Sequence, residues 1–258
     1  MKTLLRILLL NVVPICLNYA VQGAAVIGDS FDSGTDSAWT RYDPLAGAGA
    51  GATFSFPNGL YQIQGAVSPD PTTLGPIRAA SVRYDLAMTG YQLEEVEIHG
   101  WDNNLKESFG LLSFVQPLTH DGISGYALTY STSGLLSLSI FRNDVATVLA
   151  SKQVTLKPDN SYRLLLADVF GTLNGAVYTL DGQLVTLPIG IRDSTYSSGG
   201  VGLHVANNDG SGGIDVTFDN FTAFSTSVPE PSIVGLMALG CITVCGVRIS
   251  RRRHSSYK

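Results

Sequence analysis

Between residues 26 and 226 the chain alternates apolar and polar positions in short runs, each cut off by Gly, Asn, Asp or Pro. A period of two is what a strand with one buried face requires, and no stretch repeats apolar residues at the spacing of an amphipathic helix. The alternation predicts strands over 60–64, 79–86, 93–101, 108–116, 125–130, 135–142, 154–156, 161–168, 173–180, 184–187, 200–206 and 214–224. Turn chemistry separates them, at Asn143-Asp144, at the Lys-Pro-Asp-Asn of 157–160, at Asp181-Gly182 and along the Asn/Asp/Gly run 207–213. Strands at this density, with no helices to cover a parallel sheet, predict an all-β domain of two antiparallel sheets packed face to face. Even spacing within each strand assigns Val96, Ile98, Leu112, Leu138, Leu164, Leu166, Val201, Leu203, Phe218 and Phe221 to its core.

The two ends follow a different pattern. Lys2 and Arg6 precede an apolar stretch over 7–17, and small residues at Ala20, Gly23, Ala24 and Ala25 follow, which is the three-part layout of a secretory signal peptide over residues 1–25. At the other end Pro229, Glu230 and Pro231 interrupt the chain. An uncharged run over 233–247 and the basic residues Arg248, Arg251, Arg252 and Arg253 come next. Two prolines disfavour helix and keep the segment extended and open to a processing enzyme. The apolar run is at the short end of what spans a bilayer, and the arginines would stay on the cytoplasmic side. This tail, residues 227–258, resembles the PEP-CTERM sorting signal of bacterial proteins. That resemblance implies an exosortase-type processing enzyme as a partner, a membrane stage through the C-terminal helix, and a final place at the cell surface or in the extracellular matrix. A plain membrane anchor is the alternative reading of the same helix and arginines.

Charge changes the picture once the ends are set aside. The whole chain of 258 residues carries a formal charge of −5. Seven of its 16 basic residues lie in the terminal segments, against one of its 21 acidic residues, so the middle carries −11. So acidic a surface repels phosphate backbones, which argues against nucleic acid and leaves neutral glycans and divalent cations as partners. The three cysteines, Cys16, Cys241 and Cys245, all sit in the terminal segments, so the domain has neither disulfides nor thiolate zinc sites.

The opening Asp29-Ser-Phe-Asp32, the run Tyr162-Arg-Leu-Leu-Leu, the Asp181-Gly turn and the closing Gly-rich strand through Val-Thr-Phe-Asp-Asn-Phe221 together resemble a concanavalin A-like jelly roll of the laminin-G-like kind. The resemblance implies a sandwich whose first and last strands pair. It also implies a structural calcium between them, for which Asp29, Asp32, Asp215 and Asp219 are the candidate carboxylates. Family 16 glycoside hydrolases share that jelly roll and carry a strand of the form Glu-x-Asp-x-(x)-Glu. Glu95-x-Glu97-x-His99 matches it in part, with Glu in the middle and His99 where the acid/base carboxyl belongs. Retaining hydrolysis needs two carboxyl groups about 5–5.5 Å apart, one as nucleophile and one as proton donor. The expectation is therefore a non-catalytic domain, with a family 16 hydrolase as the alternative.

Period-two alternation places Glu95, Glu97 and His99 on one strand face and Val96 and Ile98 on the other. Trp101 beside Asp102-Asn-Asn104, and Asn207 with Asp209, add the aromatic and polar residue types that bind sugars. Glu95, Glu97, His99, Trp101, Asn207 and Asp209 are thus the candidate ligand face, with an extracellular polysaccharide as the candidate ligand.

Overall fold

A computed structural model describes residues 24–89, 91–118 and 122–226. The expected signal segment before residue 24 and the sorting tail at 229–231, 233–247 and 251–253 lie outside the described residues. Among the described residues no helix is long and apolar enough to cross a membrane.

In chain order the strands are β1 (Ala24–Asp29), β2 (Thr40–Tyr42), β3 (Thr53–Ser55), β4 (Tyr61–Gly65), β5 (Arg78–Thr89), β6 (Tyr91–Trp101), β7 (Glu107–Val115) and β8 (Gly125–Ser131). They continue as β9 (Leu135–Arg142), β10 (Val145–Gln153), β11 (Tyr162–Val169), β12 (Thr172–Thr179), β13 (Ile189–Arg192), β14 (Ser198–Asn207) and β15 (Ile214–Thr226). The only helical pieces among the described residues are two three-residue 3-10 turns. One sheet runs β13-β12-β11-β6-β15-β4-β3 with β1 added on β15, and the other runs β10-β9-β8-β7-β14-β5-β2. The expected two-sheet antiparallel sandwich is what forms. Its first strand pairs with its last, Ala24 opposite Thr226 and Asp29 opposite Phe221.

All ten expected core residues are fully buried. Nine of them meet between the sheets, where an aliphatic or aromatic side chain contributes about 1.5–3 kcal/mol on burial. Leu112 instead belongs to a smaller cluster on the opposite face of the seven-stranded sheet, with Tyr42, Val82, Ala127 and Phe141. Ile123 and Leu118, from the connection after β7, close over this second cluster. Asp144 fastens that closure. Its carboxylate accepts from Ile123 N at 2.8 Å, from Arg78 Nε at 2.8 Å and from the Tyr42 hydroxyl.

Two strand assignments change. Residues 154–156 form no strand; Val154 and Leu156 are buried as a plug, with Leu156 N donating to the Tyr130 hydroxyl at 3.2 Å. The strand just before it, β10, was not legible because it is a sheet edge whose side chains are mostly exposed, so its pattern carries no alternation. Residues 184–187 make a single bridge, Leu184 to Tyr178, and leave Leu187 exposed, while the strand of that region is β13.

His204 lies on the second cluster, 3% exposed, with its ring edge-on to Phe141 and Nδ1 without a partner. Burial pushes its imidazole down to about 4. A depressed histidine keeps the folded state neutral while the unfolded chain takes a proton, so its contribution is complete above the ordinary value near 6.5 and is lost as pH falls toward 4. Urea unfolding should therefore show His204→Gln with a flatter stability profile between pH 6.5 and 4, the difference from wild type reaching about 3 kcal/mol. Parallel profiles would mean that His204 takes up its proton at the same pH in the folded and unfolded chain.

Candidate functional site: a polar face across three strands

In β6 the residues Gln92, Glu94, Val96 and Ile98 point inward, and Glu95, Glu97 and His99 point outward. The expected sharing of one face by the two carboxylates and the imidazole therefore holds. On one side β11 sets Arg163 opposite Glu97, and on the other β15 sets Asp219 opposite Glu97.

Two bulges shape this face. Between Asp219 and Thr222, β15 advances three residues while β6 advances from Glu97 to Glu95, so one extra residue is accommodated. Asn220 takes it up at φ 47°, a left-handed conformation that asparagine tolerates better than most residues. Its amide then donates to Glu97 Oε2 at 3.0 Å and to Asp219 Oδ2 at 3.2 Å. The second bulge is in β6 itself, where Ile98 to Gly100 spans one step of β15. Beyond it the alternation inverts, and Trp101 enters the core against Phe109, Tyr130 and Tyr162 at centroid distances of 5.4, 5.8 and 6.2 Å. At 7% exposure Trp101 offers no stacking platform, which corrects its place on the expected ligand face.

Glu97 is the hub. Its Oε1 accepts from Arg163 Nη2 at 3.0 Å, and its Oε2 lies 3.2 Å from His99 Nε2. His99 Nδ1 meets Ser161 Oγ at 3.3 Å. Arg163 Nε approaches Glu95 Oε1 at 2.9 Å as an ion pair but without the alignment of a hydrogen bond. Burial raises the Glu97 carboxyl, and the hydrogen bonds from Asn220, Arg163 and His99 more than offset it, so it stays below the ordinary carboxylate value. Glu95 moves the other way, raised by burial against the pull of Arg163 and further raised by the Glu97 charge. Asp219 is raised mainly by burial.

The remaining candidates are dispersed. Asn207 is 2% exposed and structural, its Oδ1 accepting from Gly210 N at 2.7 Å and its amide donating to the Gly213 carbonyl. Asp209 pairs with Lys106 at 2.6 Å on the surface of the same loop. Asp29 accepts from Trp39 Nε1 at 2.7 Å and Phe31 N at 2.9 Å, Asp32 from Ser30 Oγ at 2.8 Å, and Asp215 from Gln62 Nε2 at 2.8 Å. Asp215 and Asp219 are four residues apart on β15, about 13 Å along the strand, so the four aspartates do not form one shell. The Asp32 charge adds to what raises the Asp219 carboxyl. The donors that do converge are Glu97, His99 and Asp219, whose ligand atoms lie within 4.8 Å of one another. One imidazole nitrogen with two carboxylates suits a zinc-like ion better than calcium, which takes six to eight oxygens. Arg163 and Asn220 were missed because only strand register and a bulge bring them to Glu97.

No family model and no curated protein matches the chain. Solved structures do. The carbohydrate-binding module CBM66 from Bacillus subtilis superposes with a TM-score of 0.53 at 17% identity, over 73% of this chain and 96% of that one. A β-1,3-1,4-glucanase (lichenase) from a mouse hindgut metagenome gives 0.55 at 13% identity, over 79% and 100%. The lumenal domain of VIP36, in a form bound to Ca2+ and Man3GlcNAc, gives 0.51 at 13%, over 76% and 87%. At these identities the likeness establishes the fold alone, a jelly-roll sandwich shared with a carbohydrate-binding module, a lichenase and the VIP36 lumenal domain.

Replacing Arg163 by Met should test how the face is held. With the guanidinium gone, Glu95 and Glu97 repel across a half-buried surface, at a cost of about 1–2 kcal/mol at pH 7. Protonating the carboxylates relieves the repulsion, so thermal unfolding should show the deficit shrinking as pH falls toward 4. A deficit independent of pH would mean that Arg163 acts through its apolar stem.

Proposed function

We propose that this is an exported bacterial protein whose jelly-roll domain binds a neutral carbohydrate without cleaving it, and whose tail directs it to the cell surface or extracellular matrix. The observation that carries the binding half is the array on β11, β6 and β15. Arg163, Glu95, Glu97, His99, Asp219 and Asn220 offer alternating donors and acceptors, held in place by one another on one sheet face. Preorganised charged donors and acceptors of this kind hydrogen-bond sugar hydroxyls at little ordering cost. The formal charge of −11 over residues 26–226 disfavours anionic polymers and leaves neutral glycans. CBM66 is by name a carbohydrate-binding module, and the VIP36 form carries Man3GlcNAc, so related sandwiches hold sugars.

The same geometry argues against hydrolysis. Cleavage needs a protonated carboxyl opposite a nucleophile. Here both glutamates lean on one guanidinium, Glu97 is kept ionised, and position 99 carries an imidazole already engaged with Glu97 and Ser161. The hydrolase reading retains the likeness to the lichenase in its favour.

Export and sorting rest on the terminal segments: Lys2, Arg6 and the apolar leader, then Pro229, Glu230 and Pro231, the run over 233–247 and Arg251, Arg252 and Arg253. An exosortase-type enzyme is the partner this tail implies.

A glycan array of neutral polysaccharides, probed with wild type and Glu97→Gln, tests the binding half. Wild type should bind a neutral glycan without releasing product from β-glucans, agarose, carrageenan or laminarin, and the variant should bind at least tenfold more weakly. Equal binding by the variant would move the site elsewhere, and turnover that disappears in Glu95→Gln would establish the hydrolase. For sorting, mass spectrometry of the surface-localised protein should find a C-terminus near residues 229–232; an intact end at Lys258 would reduce the tail to a plain anchor.

A further inference from the structure

Polar side chains gather at the end of the space between the sheets where β6 begins and β11 finishes. There Gln92 and Glu94 point inward from β6, Asp168 points inward from β11, and Ser113 comes from β7 in the facing sheet. Asp168 is directly opposite Gln92 in the register, and Glu94 is its diagonal neighbour, within reach for long side chains. Gln92 and Glu94 have no exposed surface, Ser113 has 1% and Asp168 has 4%. Gln92 Nε2 donates to Ser113 Oγ at 2.9 Å and to Glu94 Oε1, and Asp168 Oδ1 accepts from Gly171 N at 2.7 Å.

That leaves Glu94 Oε2 and Gln92 Oε1, both fully buried, without a hydrogen-bond donor among the described residues. Unpaired acceptors at such depth are costly, and two in contact with the same network mark a place where positive charge is wanted. The one charged neighbour that acts on Glu94 is Asp168, which has the same sign. Every side-chain group here that could ligate through a lone pair does so through oxygen, the preference of hard cations. A cavity of about 230 Å³ lined by Asp168, Phe170, Gly171, Ser194 and Tyr196 meets the cluster at Asp168.

We propose that this end of the core is a binding site for one hard divalent cation of the calcium type, held by the carboxylates of Glu94 and Asp168, the Gln92 amide oxygen and the Ser113 hydroxyl. The two carboxylates balance the ion's charge, and the ion supplies what the two orphaned oxygens lack. The site is separate from the polar face and from the four aspartates of the opening and closing strands, so it stands or falls independently of the glycan reading.

Calorimetry and thermal unfolding of the purified full-length protein, stripped with chelator and then titrated with calcium chloride, test it. We expect one calcium per chain and a rise in Tm of roughly 5–10 °C at calcium a hundredfold above Kd. Glu94→Gln and Asp168→Asn preserve shape and should each lose the response, whereas Glu97→Gln should keep it. Tyrosine-sensitised terbium(III) emission that calcium displaces is a second readout, independent of how either variant folds. No heat and no shift in wild type, or a response that survives both Glu94→Gln and Asp168→Asn, would overturn the proposal.

Discussion

The structure turns on one strand that serves two partners in succession. Along one edge β15 pairs first with β4, through Phe218 opposite Tyr61, and then with β1, from Phe221 opposite Asp29 to the last residue. Along its other edge it pairs with β6 throughout. The extra residue needed at the changeover is Asn220, in the left-handed conformation. A bulge increases local twist and re-aims a side chain, and here it delivers the Asn220 amide and the Asp219 carboxylate to Glu97. Closure of the sandwich and assembly of its polar face are therefore one event. Phe218 and Phe221, on either side of the bulge, both remain in the core and pin it.

Holding three carboxylates on one half-buried face is a liability unless cations and amides answer them. Arg163 answers two and Asn220 answers Glu97 and Asp219, so the array is balanced within itself and ordered before any ligand arrives. The interior end around Gln92 and Glu94 is the opposite case. Its carboxyls are deeper and among the described residues no basic side chain pairs with them, and burial pushes Glu94 up to about 8. The same residue type, one position apart in β6, thus meets two different solutions. The surface glutamate is paired by the protein, and the interior one is held toward its neutral form by burial.

Alternation along the chain made the fold class and the core legible, because a residue such as Leu164 or Val201 declares its face by its own neighbours. It also placed Glu95, Glu97 and His99 together, since they lie in one alternating stretch of β6 that ends at its bulge. It failed at Trp101 because a bulge at Gly100 reverses the faces, and a bulge is a property of two strands rather than one. Arg163 and Asn220 escaped for the same reason: each reaches Glu97 through pairing. Buried Glu94 carried no signal of its own, since a carboxyl at an inward position reads as an interruption of the pattern. Edge strand β10, with its exposed side chains, had no apolar face to betray it.

The claim that the β15 bulge organises the polar face can be measured at a single carboxyl. Asn220→Gly keeps a residue at ease with a left-handed backbone while deleting the amide. Carbon-detected NMR titration of Glu97 in wild type should show it ionising below the ordinary glutamate value of 4.5. In Asn220→Gly, with the rest of the spectrum preserved, the midpoint should move upward. An unchanged midpoint in a folded variant would contradict the account and leave Arg163 alone as the group that holds Glu97 in place.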